Sequence, residues 1–122
     1  MIVVNYWKLV VLERYAQFEG RASRAEFWYY ALATFVVSLV LNLLAQASAI
    51  FLILAVGWWL ALLIPGIAVG IRRLHDTDKS GLLLLLAFIP IVGAIILIVL
   101  WAGEGSAADN QYGPRPAELA AA

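Results

Sequence analysis

Apolar residues fill two long stretches of the chain, from Phe27 to Ile71 and from Ser80 to Gly103, and no charged residue interrupts either of them. A bilayer core about 30 Å thick is crossed by about 20 helical residues, so the first stretch has room for two spans and the second for one. The pattern therefore predicts three transmembrane helices, near residues 27–46, 51–71 and 82–102.

Composition and local pattern both agree with membrane helices. Hydrophobic residues make up 65% of the chain and charged residues 13%, against roughly 45–50% and 25% in soluble domains. The run from Leu82 to Leu86 lacks the alternation of a barrel strand. We therefore predict an all-α integral membrane protein, with residues 1–102 forming one small bundle of three transmembrane helices and residues 103–122 forming a polar tail.

The segment before the first span has a different character. It mixes aromatic side chains such as Trp7 with charged ones such as Lys8 and Arg14, and these charges exclude a span. We predict an N-terminal interfacial amphipathic helix over about residues 3–18. A helical lead-in packed against the bundle is the alternative.

Capping residues mark two of the span starts. Ser23 and Glu26 directly precede the first apolar stretch, which predicts a capping box with Ser23 as the N-cap and Glu26 reaching back. The third span has Asp78 or Ser80 as its N-cap. The turn between the first two spans, near residues 46–49, contains neither Gly nor Pro and is weakly marked.

Basic residues indicate how the chain is threaded. They cluster before the first span and after the second, with Arg115 alone beyond the third. Positive residues stay in the cytoplasm, so we predict a cytoplasmic N-terminus and a cytoplasmic 72–80 loop. A full third span, kinked at Pro90 and Gly93, then places the tail outside. The alternative is a re-entrant hairpin that returns the tail to the cytoplasm. We favour the full span, because so small a protein offers little to surround non-helical backbone in lipid.

Polar and small residues inside the spans are interpreted as packing features. Four polar residues of the first span recur every fourth position, which places them on one helix face. They predict interhelical hydrogen bonds, with the wall of a polar path as the alternative. Two glycines of the second span form a small-xxx-small motif, and Trp58 and Trp59 are assigned to packing or oligomer contacts. The packing residues are Thr34, Ser38, Asn42, Gln46, Gly66 and Gly70.

Most of the potential chemistry lies between Arg72 and Gly81, which carries the only histidine. One histidine and no cysteine make a metal site improbable, and we predict no cofactor and no catalytic residue. A net charge of zero gives no indication of nucleic-acid binding. Basic residues at a membrane surface attract anionic lipid head groups. Charge pairing within the loop is the plainer alternative.

Three motifs resemble those of one bacterial family. They are Gly20–Trp28, Arg72–Gly81 and Asn110–Pro114, and together they are similar to the signatures of the YhaH/YhaI-like inner-membrane family, domain of unknown function 805. The resemblance implies a small multi-pass protein of the bacterial inner (plasma) membrane and supplies no activity. Two positions depart from the family pattern. Leu82 and Leu83 stand where the family tends to have aromatic residues, and Arg115 replaces an acid between the tail prolines.

The tail signature favours a docked turn over a disordered tail. Its candidate partners are Arg21 and Arg24 or the 72–80 loop, and reaching them requires the re-entrant topology. The expected full third span and the expected docked tail therefore conflict. The tail residues concerned are Asn110, Tyr112, Gly113 and Pro114.

Our leading hypothesis is a non-enzymatic protein whose basic juxtamembrane face binds anionic lipid head groups or a partner protein. One alternative is a small oligomeric channel, transporter subunit or holin-like protein lined by the polar stripe. The other is a membrane enzyme that acts on lipid phosphates with His75 and Asp76 as acid and base. A homo-oligomer or a membrane-protein partner is expected, because three helices bury few apolar faces. The candidate lipid- or partner-binding residues are Arg21, Arg24, Arg72, Arg73, His75, Asp76 and Lys79.

Overall fold

The computed structural model describes residues 1–116, and its regular elements are helical apart from an isolated bridge between Asn110 and Gly113. The elements are α1 (Ile2–Lys8), continued by a π-helical turn (Leu9–Glu13), then α2 (Arg24–Ala45), α3 (Ala49–Asp76), a 3₁₀ helix (Gly81–Phe88) and α4 (Val92–Ala102). The helical class expected from the sequence is therefore observed in this range. Residues 117–122 of the predicted tail lie outside the described residues.

Two long antiparallel helices, α2 and α3, form the centre of the molecule. They have 22 and 28 residues and are long and apolar enough to cross a membrane. The predicted spans 27–46 and 51–71 lie almost wholly within them. Buried apolar side chains gather where α2 begins and α3 ends. That core comprises Val10, Ala22, Phe27, Tyr30 and Val69.

Only one of the two interactions of the predicted capping box is formed at the start of α2. Ser23 is the N-cap, and its hydroxyl accepts a hydrogen bond from the Glu26 amide at 3.1 Å. The Glu26 carboxylate does not complete the capping box, because it pairs with arginines from two other segments. At the entry to the 3₁₀ helix, Ser80 is the N-cap and accepts from the Leu82 amide at 3.2 Å.

The N-terminal helix runs alongside α2. Tyr6 stacks on Tyr29 with ring centroids 5.5 Å apart. The indole of Trp7 donates to Thr34 at 3.3 Å and stacks on Trp58. The helix predicted over about residues 3–18 is observed over residues 2–13, and its aromatic side chains pack on α2 and α3, as the alternative of a packed lead-in expects.

The last apolar stretch forms a hairpin, and the expected full third span is not formed. The 3₁₀ helix and α4 are separated by a reversal at residues 89–91, where Ile91 has a positive φ of 64°. The two limbs, of 8 and 11 residues, are each about 16 Å long, which is half of a bilayer core. Trp101, near the end of α4, returns to donate to the Gly70 carbonyl at 3.2 Å.

Sequence chemistry explains the reversal. Pro90 has no backbone N–H to continue a helix. Gly93 lies so close to the Leu86 carbonyl that a Cβ there would overlap it. The hairpin brings the tail to the end of the bundle where α2 starts, so the expectation of a tail at the opposite end is wrong for this structure.

Candidate functional site

Two arginine–carboxylate–arginine triads lie at the end of the bundle where the three sequence motifs meet. In the first, Glu26 accepts from Arg14 at 2.7 Å and pairs with Arg72. Arg72 also donates from Nε to the Gln17 carbonyl at 2.9 Å. The Arg72 and Glu26 side chains are buried, whereas Arg14 is 32% exposed. This triad joins the N-terminal segment to the start of α2 and the end of α3.

The second triad is centred on Asp76. Its two carboxylate oxygens accept from Arg21 at 2.8 Å and from Arg73 at 2.5 Å. All three side chains are buried. Each triad has two cations for one carboxylate. Since burying a charge is unfavourable unless it is paired and hydrogen-bonded, the buried arginines need further acceptors.

Backbone carbonyls of the tail supply those acceptors to Arg21. Its guanidinium donates to the carbonyls of Ser106 at 2.6 Å, Ala108 at 3.0 Å and Gly113 at 3.2 Å. The Ser106 amide in turn donates to the Asp76 carbonyl at 2.7 Å. The tail is therefore bound to the bundle through a buried guanidinium, whose five N–H groups form a rigid fork.

Two arginines cap the end of α4. Arg73 donates from Nε to the Trp101 carbonyl at 2.8 Å and also bonds the Gly103 carbonyl. Arg24 donates from Nη2 to the Ala102 carbonyl at 2.8 Å. The last carbonyls of a helix have no partner within it and carry partial negative charge, which cations stabilise. These contacts hold the returning limb of the hairpin against α2 and α3.

His75 connects the loop to the tail signature. Its Nδ1 lies 2.9 Å from the Gly20 carbonyl, and because a carbonyl only accepts, Nδ1 carries the proton. The ring stacks on Tyr112 with centroids 3.8 Å apart. The side-chain Nδ2 of Asn110 donates to the His75 backbone carbonyl at 2.9 Å. The side-chain Oδ1 of Asn110 accepts from the Tyr112 backbone amide. The tail signature is thus a docked turn.

One unit, which we call the cap, comprises the two triads, the arginine contacts to the end of α4 and the His75 contacts. It unites the three motifs Gly20–Trp28, Arg72–Gly81 and Asn110–Pro114. Sequence reasoning assigned no role to Arg14 in it and assigned Glu26 only a capping role. Each buried acid faces two arginines in the structure. The sequence alone does not show this pairing, because it depends on how α3 and the N-terminal segment dock.

Three of the predicted binding residues are buried. The guanidinium groups of Arg21, Arg72 and Arg73 lie inside the protein, with relative exposures of 5%, 0% and 0%. Arg24 is exposed and Lys79 is partly exposed. The basic residues of the motifs therefore do not form one open cationic face.

The predicted polar stripe is used within the protein at two of its positions. Thr34 accepts from Trp7, and the Ser38 hydroxyl accepts from the Trp58 indole at 2.9 Å. Asn42 donates to the Ser38 carbonyl of its own helix, and Gln46 lies exposed beyond the end of α2. Trp58 thereby has a contact role between α1, α2 and α3.

An apolar groove of about 630 Å³ lies between the helix pair and the hairpin. It extends from Gly81 and Ile71, beside the cap, to Ser38 and Trp58, near the middle of the two long helices. Gly66 also lines the groove and Gly70 does not; a Cβ at Gly66 would meet the Tyr30 hydroxyl, and a Cβ at Gly70 the Trp101 ring, each at 3.4 Å. The remaining lining residues are Tyr30, Thr34, Trp59, Leu62, Leu63, Ile67, Leu82, Leu84, Leu85, Ala87, Phe88 and Trp101.

Residues 15–114 match the family described as "Protein of unknown function (DUF805)". This chain belongs to that family. The resemblance inferred from the three motifs is therefore confirmed, and the matched range contains the whole hairpin, the Asp76 triad and the Glu26–Arg72 pair, with Arg14 one residue before it. No solved structure is significantly similar to the chain.

Three relatives from Escherichia coli (strain K12) extend the comparison. "Inner membrane protein YhaI" is 40% identical over 111 residues, which is 90% of this chain and 94% of the relative. "Inner membrane protein YhaH" is 38% identical over 115 residues, which is 90% of this chain and 95% of the relative. "Uncharacterized protein YiiR" is 36% identical over 85 residues, or 70% of this chain and 56% of the relative. The first two names support an inner-membrane location for this chain.

Proposed function

We propose that this chain is a non-enzymatic, multi-pass inner-membrane protein that binds the hydrocarbon chain of a membrane lipid in the groove between the helix pair and the hairpin. The groove itself is the observation that carries the proposal. Its volume of about 630 Å³ falls within the range of ligand sites, and such sites commonly lie between helices and combine an apolar lining with few polar groups.

Hydrocarbon is the occupant that this lining fits best. The groove is bounded by the two helices able to cross a membrane, so the surrounding medium is acyl chain. Two of the lining hydroxyls, on Thr34 and Ser38, already accept hydrogen bonds from indole groups. An aqueous path needs polar groups along its wall, whereas most of the side chains that line this groove are apolar. This disfavours the channel alternative in which the polar stripe lines a pore.

We propose two full spans and a re-entrant hairpin, with the cap in the cytoplasm. The cap is built from Arg14, Arg21, Arg24, Arg72 and Arg73, and Arg115 lies on the docked tail. The positive-inside rule then assigns this end to the cytoplasm. The N-terminus, the 72–80 loop and the tail share one side in this topology.

The contacts of His75 and Asp76 disfavour an enzyme acting on lipid phosphates. The His75 ring is covered by Tyr112 and bonded to Gly20, and the Asp76 carboxylate is held by two arginines. A general acid or base must reach the proton that it transfers. The two side chains act here as connectors within the cap.

A matched pair of substitutions tests lipid binding. Leu63 lines the groove and Ile64 does not, although both are on α3 and are 41% and 40% exposed. We expect native mass spectrometry of the purified parent and of Ile64→Trp to detect one retained phospholipid. We expect Leu63→Trp, which fills the groove, to lose it. Equal retention of phospholipid by the two variants contradicts the proposal. A parent protein that is detected as a dimer without bound lipid also contradicts it.

A further inference from the structure

A second, polar cleft of about 290 Å³ opens between the start of α2 and the docked tail. Two cations, Arg24 and Arg115, and two carboxylates, Asp76 and Glu104, line it. This cleft is separate from the apolar groove and contains charges of both signs.

Three of the four charged groups are open to a ligand. Asp76 is occupied by Arg21 and Arg73. Within residues 1–116, Arg24 uses Nε and Nη2 on backbone carbonyls and leaves Nη1 without a hydrogen bond, and neither Arg115 nor Glu104 forms one. Arg24, Arg115 and Glu104 are exposed. Among the described residues, the cleft therefore offers two cationic donors and one carboxylate without a hydrogen bond.

The cleft lies at the level where lipid head groups are expected in the proposed topology. Glu104 follows the end of α4 by two residues, and Trp101, one turn earlier, lines the apolar groove. Arg24 is the first residue of α2 and bonds the last residue of α4, Ala102. The charged groups thus stand beside the ends of two membrane helices.

We propose that this cleft binds the head group of a zwitterionic phospholipid that carries a primary amine. The phosphate contacts Arg24 and Arg115, and the ammonium donates to Glu104. A purely anionic head group leaves the Glu104 carboxylate facing a phosphate without a cation between them. A quaternary choline has no N–H to donate, so it cannot form the charge-assisted hydrogen bond. This inference rests on the proposed function, because the same lipid supplies the chain in the groove.

The test compares three lipids that differ only in the head group. Dipalmitoyl phosphatidylethanolamine, phosphatidylcholine and phosphatidylglycerol are added in equal amounts to the purified full chain in detergent, and native mass spectrometry measures retention. We expect the ethanolamine lipid to be preferred about tenfold, the equivalent of 1.4 kcal/mol. We expect Glu104→Gln to abolish this preference while retention of the choline lipid is unchanged. Asp109→Asn, an exposed carboxylate that does not line the cleft, is the matched control.

The outcomes separate this inference from the proposed function. Equal retention of the three lipids by the parent, or an unchanged preference in Glu104→Gln, overturns the head-group assignment and leaves the groove intact. Equal retention by Leu63→Trp and Ile64→Trp overturns the groove itself. Soluble glycerophosphoethanolamine is added as a competitor. Displacement by it at concentrations comparable to those of the lipid identifies a soluble ligand and overturns the lipid assignment.

Discussion

Arg73 donates a hydrogen bond from Nε to the carbonyl of Trp101 at 2.8 Å, which joins the last turn of α3 to the last turn of α4. This contact closes the hairpin at the end where the chain leaves the apolar groove. Because the same guanidinium pairs with Asp76, the position of the hairpin and the position of the tail depend on one buried charge cluster.

Loss of the Asp76 charge should destabilise the whole cap. Asp76→Asn keeps the shape of the side chain and leaves Arg21 and Arg73 buried without a counter-ion. Breaking a buried ion pair from one side typically costs about 3–5 kcal/mol. We expect thermal unfolding in detergent to show a clear fall in the midpoint. Asp78→Asn is the control, because Asp78 is exposed and its positive φ of 60° suits asparagine; equal midpoints for the two variants contradict the account.

Glu26→Gln should destabilise the first triad in the same direction. Arg72 then remains buried next to a neutral amide, and its Nη2 already lacks a hydrogen-bond partner among the described residues. Arg14 is partly exposed and can turn to solvent, so the penalty falls mainly on Arg72. Unfolding midpoints measured against Glu19→Gln, an exposed acid of the same segment, report it. A Glu26→Gln variant as stable as that control is incompatible with a buried triad.

The stack of Tyr112 on His75 should protect the tail. Tyr112→Ala removes the stacked ring, whereas Tyr112→Phe keeps it. Aromatic pairs contribute about 0.5–1.5 kcal/mol beyond area burial, so amide exchange in residues 106–113 should quicken about two- to tenfold in the alanine variant only. Hydrogen-exchange mass spectrometry measures this. Equal protection in both variants shows that the stack does not hold the turn.

Gly93 should be required for the hairpin. A Cβ at Gly93 would overlap the Leu86 carbonyl, whereas a Cβ at Gly57, on α3, meets nothing within 4 Å. We therefore expect Gly93→Ala to lower the unfolding midpoint and Gly57→Ala to leave it unchanged or raise it, since alanine is the better helix former. A tolerated Gly93→Ala argues for a continuous third span.

The sequence predicts local features of this fold better than long-range ones. Ser23 and Ser80 are N-caps as their neighbours indicate, and the uncharged stretch before Ile71 does contain two long helices. The hairpin was weighed and not favoured, because the partners that stabilise its return, Arg24 and Arg73, are distant in sequence from α4. Whether Pro90 kinks a span or reverses it depends on those contacts and not on the apolar pattern.

Several of the predicted binding residues meet in the cap, but three of them are buried and not exposed. Arg21, Arg72 and Arg73 carry the charge that predicted a basic surface, but their acceptors are a carboxylate and carbonyls from the other end of the chain. Composition reports how many cations exist and cannot report which of them are buried. The docking of Asn110–Pro114 was expected only if the last apolar stretch turns back, and the hairpin and the docked turn occur together in the structure.

The most direct test of the central claim determines which side of the membrane holds the tail. The chain has no cysteine, so single cysteines at three exposed alanines provide clean reporters: Ala16 beside the cap, Ala49 at the turn between α2 and α3, and Ala107 in the tail. A membrane-impermeant maleimide is applied to intact spheroplasts and to inverted vesicles. The account predicts that Ala107→Cys labels from the same side as Ala16→Cys and from the opposite side to Ala49→Cys. Labelling of Ala107→Cys from the side of Ala49→Cys would contradict the re-entrant hairpin and the cap that depends on it.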